Sequence, residues 1–180
     1  GRLDPFGIAS RMSYFLWSSM PDQELFAAAR SGKLNDPKER SRQVERMLKD
    51  VKAEAFVRHF PSAWLRLDKL GDMPPSGGDY QFYKNLKVEP LLAKQVTTYF
   101  AEILKTNGRI EQFIDSNYTY MNQTLAKWIY KREGIRGERL RKVKLDDPRR
   151  GGIFTQPGLM TATANGVDTS PVIRGVWVLE

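Results

Sequence analysis

The 180-residue sequence contains no cysteine and a single histidine, His59. Without thiols these residues build no disulfide, thiolate zinc site, iron–sulfur cluster or thioether-linked haem. One imidazole excludes a multi-histidine metal centre. Long apolar runs are also missing. The longest candidate, Met12 to Met20, is interrupted by Ser13, Ser18 and Ser19, well short of the roughly 20 residues that span a bilayer. Nucleophile motifs are absent too: no serine sits in a G-x-S-x-G turn, and Glu24, Glu54, Glu102, Glu111 and Asp115 show no spacing that singles out an acid–base pair. No catalytic residue and no metal ligand is therefore assigned.

What is present is an ordinary globular composition, 41% apolar and 11% aromatic, with a net charge of +8. Much of that excess lies between Lys127 and Arg150, where ten basic residues are interleaved with Glu133, Glu138, Asp146 and Asp147. The mixture reads as a solvated surface or a face for an acidic protein partner. A basic nucleic-acid-binding module is the weaker alternative.

Helix signals dominate. Asp4-Pro5, Pro21-Asp22 and Asp36-Pro37 are helix openings. The first helix is expected to bury Ile8, Met12, Phe15 and Leu16, with Tyr14 and Trp17 making it apolar on its other side. The third is expected to bury Val44, Met47, Leu48 and Val51. A fourth starts near Lys52, and Pro61 is expected to kink or break it. A long helix over Glu89–Thr106 turns Leu92, Val96, Tyr99, Phe100 and Ile103 inward. "DSNYTYMN" reads as a loop, Val143 and Leu145 as one short strand, and all four tryptophans as core. The expected fold is all-α, an irregular multi-helix domain with little or no β structure. Its parts are residues 1–70, a turn-rich linker at 71–79 and a second helical part of the same domain at 80–146.

The last segment opens a helix at Ser170-Pro171, with Val172, Val176 and Leu179 on one stripe running to Glu180 with no stop signal. Gly1 is not an initiator Met. The chain is therefore expected to be a piece of a longer protein.

Several phrases in order ("ASRMSYFLWSSMPDQELFAAARSGKL", "WLRL", "YTYMNQTLAKWIY", "DDPRRGGIFTQPGLMTATAN" and "TSPVIRGVWVLE") resemble the planctomycete-type cytochrome c-associated proteins, built from successive domains of unknown function. The resemblance covers nearly the whole chain, and it implies that residues 147–180 are the truncated start of the next family domain. It implies that a C-x-x-C-H haem segment follows "WVLE" in the full-length protein, so that a c-type haem lies downstream and none in these residues. It also implies an export route to a periplasmic or cell-surface location. Expected partners are adjacent domains of the same polypeptide and a redox protein, with no membrane span. The chain departs from the family at Gly166 and Val167-Asp168, where relatives carry a proline and a basic residue, and at Ser62-Ala63, where relatives carry a Gly-Gln pair.

Candidate contact residues follow from side-chain chemistry. Arg149 and Arg150 precede Gly151-Gly152 and an expected helix over Ile153–Met160, an arrangement suited to an anion such as a haem propionate. Its plain alternative is a turn in which an arginine bridges to Asp146 or Asp147. Asn165, Thr169, Ser170 and Arg174 offer hydrogen bonds to the missing part, or simply turn and cap chemistry. Tyr118 and Tyr120 form a possible aromatic platform, and His59 is an axial-ligand candidate or a histidine bonded near the Pro61 kink. Three functions are thus carried forward: a non-catalytic scaffold for a haem-bearing segment, the wall of an oxidoreductase or polysaccharide-degrading active site, and a basic nucleic-acid-binding module.

Overall fold

A computed structural model describes residues 3–168 and 170–179, with Asp79 described in its backbone alone. The fold is mainly helical, 59% helix and 5% strand. The chain divides between Phe60 and Pro61 into two compact units.

The first unit begins with α1 (Pro5–Trp17), whose N-cap Asp4 accepts from the Gly7 amide. Its buried stripe is Ala9, Ser13, Leu16 and Trp17, rather than the expected Ile8, Met12 and Phe15. Small side chains at Ala9 and Ser13 let α2 (Gln23–Arg30) approach α1 closely, while Tyr14 and Phe15 are each 57% exposed. The Trp17 indole is sunk in the core and donates to the Met47 carbonyl at 2.9 Å. Met47 lies on α3 (Pro37–Lys49), which buries Gln43 and Met47 and leaves Val51, just beyond it, 75% exposed. Gln43 survives burial because its amide donates to Glu24 and Glu39 and accepts from Arg46.

Helix α4 (Glu54–Trp64) carries the chain into the second unit and runs through Pro61 without ending there. The second unit is organised on α6 (Glu89–Lys105), where Leu92, Val96, Tyr99, Phe100 and Ile103 are all buried as their spacing predicts. The short α5 (Gln81–Asn85) precedes it. The expected loop at "DSNYTYMN" contains β1 (Tyr118–Met121), and β2 (Arg141–Lys144) pairs with it antiparallel, Thr119 opposite Val143 and Tyr120 opposite Lys142. The all-α expectation is corrected accordingly. Tyr118 and Tyr120 alternate with Thr119 and Met121, a β-prone stretch that covers α6, and the partner strand lies 20 residues further along. Between the strands, α7 (Gln123–Trp128) is capped by the Asn122 side chain, which accepts from the Leu125 amide. Gln95 joins helix and sheet: its Nε2 donates to the Tyr120 carbonyl at 2.6 Å and contacts Thr119 Oγ1 and Tyr130 Oη.

Two further helices finish the unit, α8 (Pro157–Ala162) and α9 (Pro171–Leu179). Gly158 of α8 sits against the backbone of α6: a Cβ there would lie 3.2 Å from the Leu92 carbonyl oxygen. Of the four tryptophans, Trp17 alone is fully core. Trp64 and Trp128 are 45% and 36% exposed, the latter stacked on Phe82 with ring centroids 5.2 Å apart. No described helix is long and apolar enough to cross a membrane.

Candidate functional site

The second unit contains an open cavity of about 390 Å³. One wall is the segment after α4, contributing Arg66, Lys69, Asp72 and Met73. A second is the end of α8, from Thr161 to Ala164, and the third is α9 through Val172, Ile173, Val176 and Trp177. Arg66 is held in the left-handed region at φ 53°, at the junction between α4 and a 3₁₀ turn over Leu67–Lys69. Its neighbours Leu65 and Leu67 are both buried and fix the backbone on either side. Trp177 packs edge-on against Phe154, which orients α9 over the cavity. The interior is therefore mostly aliphatic, with charge confined to the first wall.

Arg174 is a sequence candidate that touches the lining of this cavity. Its Nε lies 3.4 Å from Oγ1 of the lining residue Thr163. Asn165 and Ser170 serve the turn between α8 and α9. The Asn165 carboxamide oxygen accepts from the Val167 and Asp168 amides at 3.0 and 2.7 Å, and Ser170 Oγ accepts from the Ile173 amide at 3.4 Å. Thr169 and Glu180 lie outside the described residues. Gly166, at φ +84°, accepts from the Ser76 amide through its carbonyl, tying this turn to the 71–79 segment.

Arg149 and Arg150 stand elsewhere, neither lining the cavity. Arg149 folds back on Asp147 through its own amide and two guanidinium nitrogens, at 2.9–3.0 Å. Those bonds, the side-chain bond foremost, hold the Asp147 carboxyl down to about 2. The Arg150 guanidinium lies 5.5 Å from the Tyr130 ring centroid. The helix expected at Ile153 begins instead at Pro157, where proline sits at the first helical turn. The Gly151 and Gly152 amides donate inward, to Thr155 Oγ1 and Ser116 Oγ.

Tyr118 and Tyr120 share one face of β1 with Tyr99 of α6 beneath them. Lys142 Nζ lies 4.1 Å from the Tyr118 ring centroid and pairs with Glu102 at 2.9 Å, so that ring face is occupied. Tyr120 is buried, and burial foremost, reinforced by the Glu102 carboxylate, pushes its phenol up to about 12. In the first unit His59 is exposed, its Nδ1 paired with Ser18 Oγ at 3.1 Å. Among the described residues no group of three or more His, Asp or Glu side chains is placed to hold a metal ion.

A family model described as PSD4, protein of unknown function (DUF1592), matches residues 3–130, more than half of the chain. The chain belongs to the DUF1592 family. No curated protein and no solved structure matches it. In this DUF1592 protein Tyr118, Tyr120 and the first cavity wall fall inside the matched span, while Arg149, Arg150, Asn165, Ser170 and Arg174 lie beyond it.

Sequence reasoning missed Arg66, Lys69 and Asp72 as site residues. "WLRL" does carry a local signal, a charged residue between two leucines that proved to be core. The partner wall lies about a hundred residues away, and no periodicity reports that juxtaposition.

Proposed function

We propose that this DUF1592 chain is a non-catalytic scaffold domain of an exported, cytochrome c-associated protein, and that α9 is the surface on which the haem-bearing segment packs. The observation that carries this reading is the state of α9. Val172, Ile173, Val176, Val178 and Leu179 are 76%, 51%, 50%, 56% and 89% exposed on one nine-residue helix. A helix apolar on all sides belongs in an interior, and contiguous exposed apolar surface marks an interaction site. Val178 and Leu179 are not among the residues that line the cavity, so their burial requires another element. The resemblance to cytochrome c-associated proteins supports a haem segment as that element, and supports export.

The test uses the native full-length protein. A pyridine haemochrome spectrum with peptide mapping is expected to find a covalent c-type haem. The Val178→Cys variant, labelled with a thiol-reactive photo-crosslinker, is expected to capture the haem-bearing peptide of the same polypeptide. Absence of haem overturns the cytochrome association. Haem without crosslinking to its peptide overturns the docking role of α9.

A further inference from the structure

The cavity's charge pattern is lopsided. Lys69 Nζ and the Asp72 carboxylate are 3.2 Å apart and cancel each other. Among the described residues the Arg66 guanidinium has no ion-pair partner, although it lines a space whose other walls are mostly apolar, Ala162, Ala164, Val172, Val176 and Trp177 among them, with Thr161 and Thr163 the neutral polar residues of the lining. Arg66 therefore leaves one uncompensated positive charge at the edge of an aliphatic chamber.

We infer that this cavity binds a small amphipathic monocarboxylate, its apolar body between α8 and α9 and its carboxylate on Arg66. Three properties select that chemistry. The volume of about 390 Å³ falls in the range of small-ligand sites, about 300–1,000 Å³. It has room for roughly a dozen non-hydrogen atoms at about 30 Å³ each. The apolar lining favours a body that gives up hydration at no polar cost. A carboxylate entering such a space is costly unless it is paired, and the planar guanidinium fork offers two parallel hydrogen bonds to its two oxygens. A cationic head would meet Arg66 with like charge, and a neutral head would leave the guanidinium without a counterion.

The position of Arg66 favours binding without rearrangement. Its backbone is pinned between core residues Leu65 and Leu67, so the ordering cost falls on one side chain. Val178 and Leu179 are not among the lining residues, whereas Val172, Ile173 and Val176 both line the cavity and are exposed on α9, so the ligand site and the docking face adjoin at those three side chains.

Decanoate, decan-1-ol and decylammonium share one alkyl body and differ in head charge. Titrated below micelle-forming concentrations into the full chain and followed by calorimetry, decanoate is expected to bind one-to-one and saturably. The alcohol and the amine should bind at least tenfold more weakly. Arg66→Gln should reduce decanoate affinity about tenfold, to the level of the alcohol, with an unchanged circular dichroism spectrum. Ala164→Leu, which fills the chamber while keeping the arginine, should abolish binding of both acid and alcohol. Equal binding of all three probes, full affinity in Arg66→Gln, undiminished binding in Ala164→Leu, or failure of decanoate to saturate would each overturn the assignment.

Discussion

Helices α6 and α9 belong to the same unit and are written in the same language of Leu, Val, Ile and aromatic residues at helical spacing. Their fates are opposite. In α6, Leu92, Val96 and Tyr99 are completely buried, beneath β1 on one side and α8 on another. In α9 the apolar side chains of Val172, Val176 and Leu179 are half to nine-tenths exposed. A hydrophobic stripe reports that a helix has something to cover, but it does not report what covers it. For α6 the cover is supplied by this chain. For α9 it is supplied in part by the cavity wall and, on its outer face, by nothing in the described residues.

The contrast can be sharpened by substitution. Leu92→Ala should cost the most, about 2–5 kcal/mol, because it deletes three buried carbon atoms' worth of packing and leaves a cavity; urea unfolding of the second unit reads it directly. Gly152→Ala should follow at roughly 2–4 kcal/mol. Gly152 sits at φ +65° against the Ile114 and Phe113 carbonyl oxygens, so a methyl group meets both a left-handed backbone and packed main chain. At the other extreme, Leu179→Ser should change the stability of this chain by no more than about 0.5 kcal/mol, as for an exposed site. A large loss from Leu179→Ser would mean that α9 is already packed, and the contrast would fail.

Between these extremes lie the titrations. Burial is the leading cause that pushes the Tyr83 and Tyr99 phenols from 10 up to about 12. The folded values are raised, so the stabilisation is complete below pH 10 and is lost as pH rises toward 12. Ultraviolet difference absorption should show these phenols ionising with unfolding of the second unit. The first unit should respond at the acid end. Hydrogen bonding to Arg42 foremost lowers Glu39 from 4.5 to about 2. In Asp22 burial opposes ionisation, and Arg46 with the Leu25 amide outweighs it to lower the carboxyl. Both folded values are depressed, so this contribution is present above about pH 4.5 and fades as pH falls toward 2. Arg42→Gln should flatten that slope in acid denaturation, a smaller effect than the core substitution.

Much of the helical skeleton was legible because capping chemistry is local: Asp4, Asp22 and Asp36 each sit at an N-cap and accept a backbone amide, as their positions beside the helix starts imply. The buried face of α6 was legible because a long helix repeats its period often enough to average out exceptions. The phase of α1 was not. Phe15 is apolar, yet Ala9 and Ser13 occupy the inner face, since close approach of α2 favours small side chains there. The strand at Tyr118–Met121 was missed for a different reason. Four residues carry too little alternation, and the strand exists through pairing with 141–144 and the hydrogen bonds from Gln95. Of the candidate site, Arg174 was singled out beforehand for its chemistry, while Arg66 and Lys69 became site residues only through a contact across about a hundred positions.

The measurement that bears most directly on the central claim is amide hydrogen exchange over Pro171–Leu179 in the native full-length protein, with α6 as the internal reference. If another element covers α9, its amides should exchange markedly more slowly there than in this 180-residue chain and approach the protection of α6. Equally fast exchange of α9 in both would contradict the account.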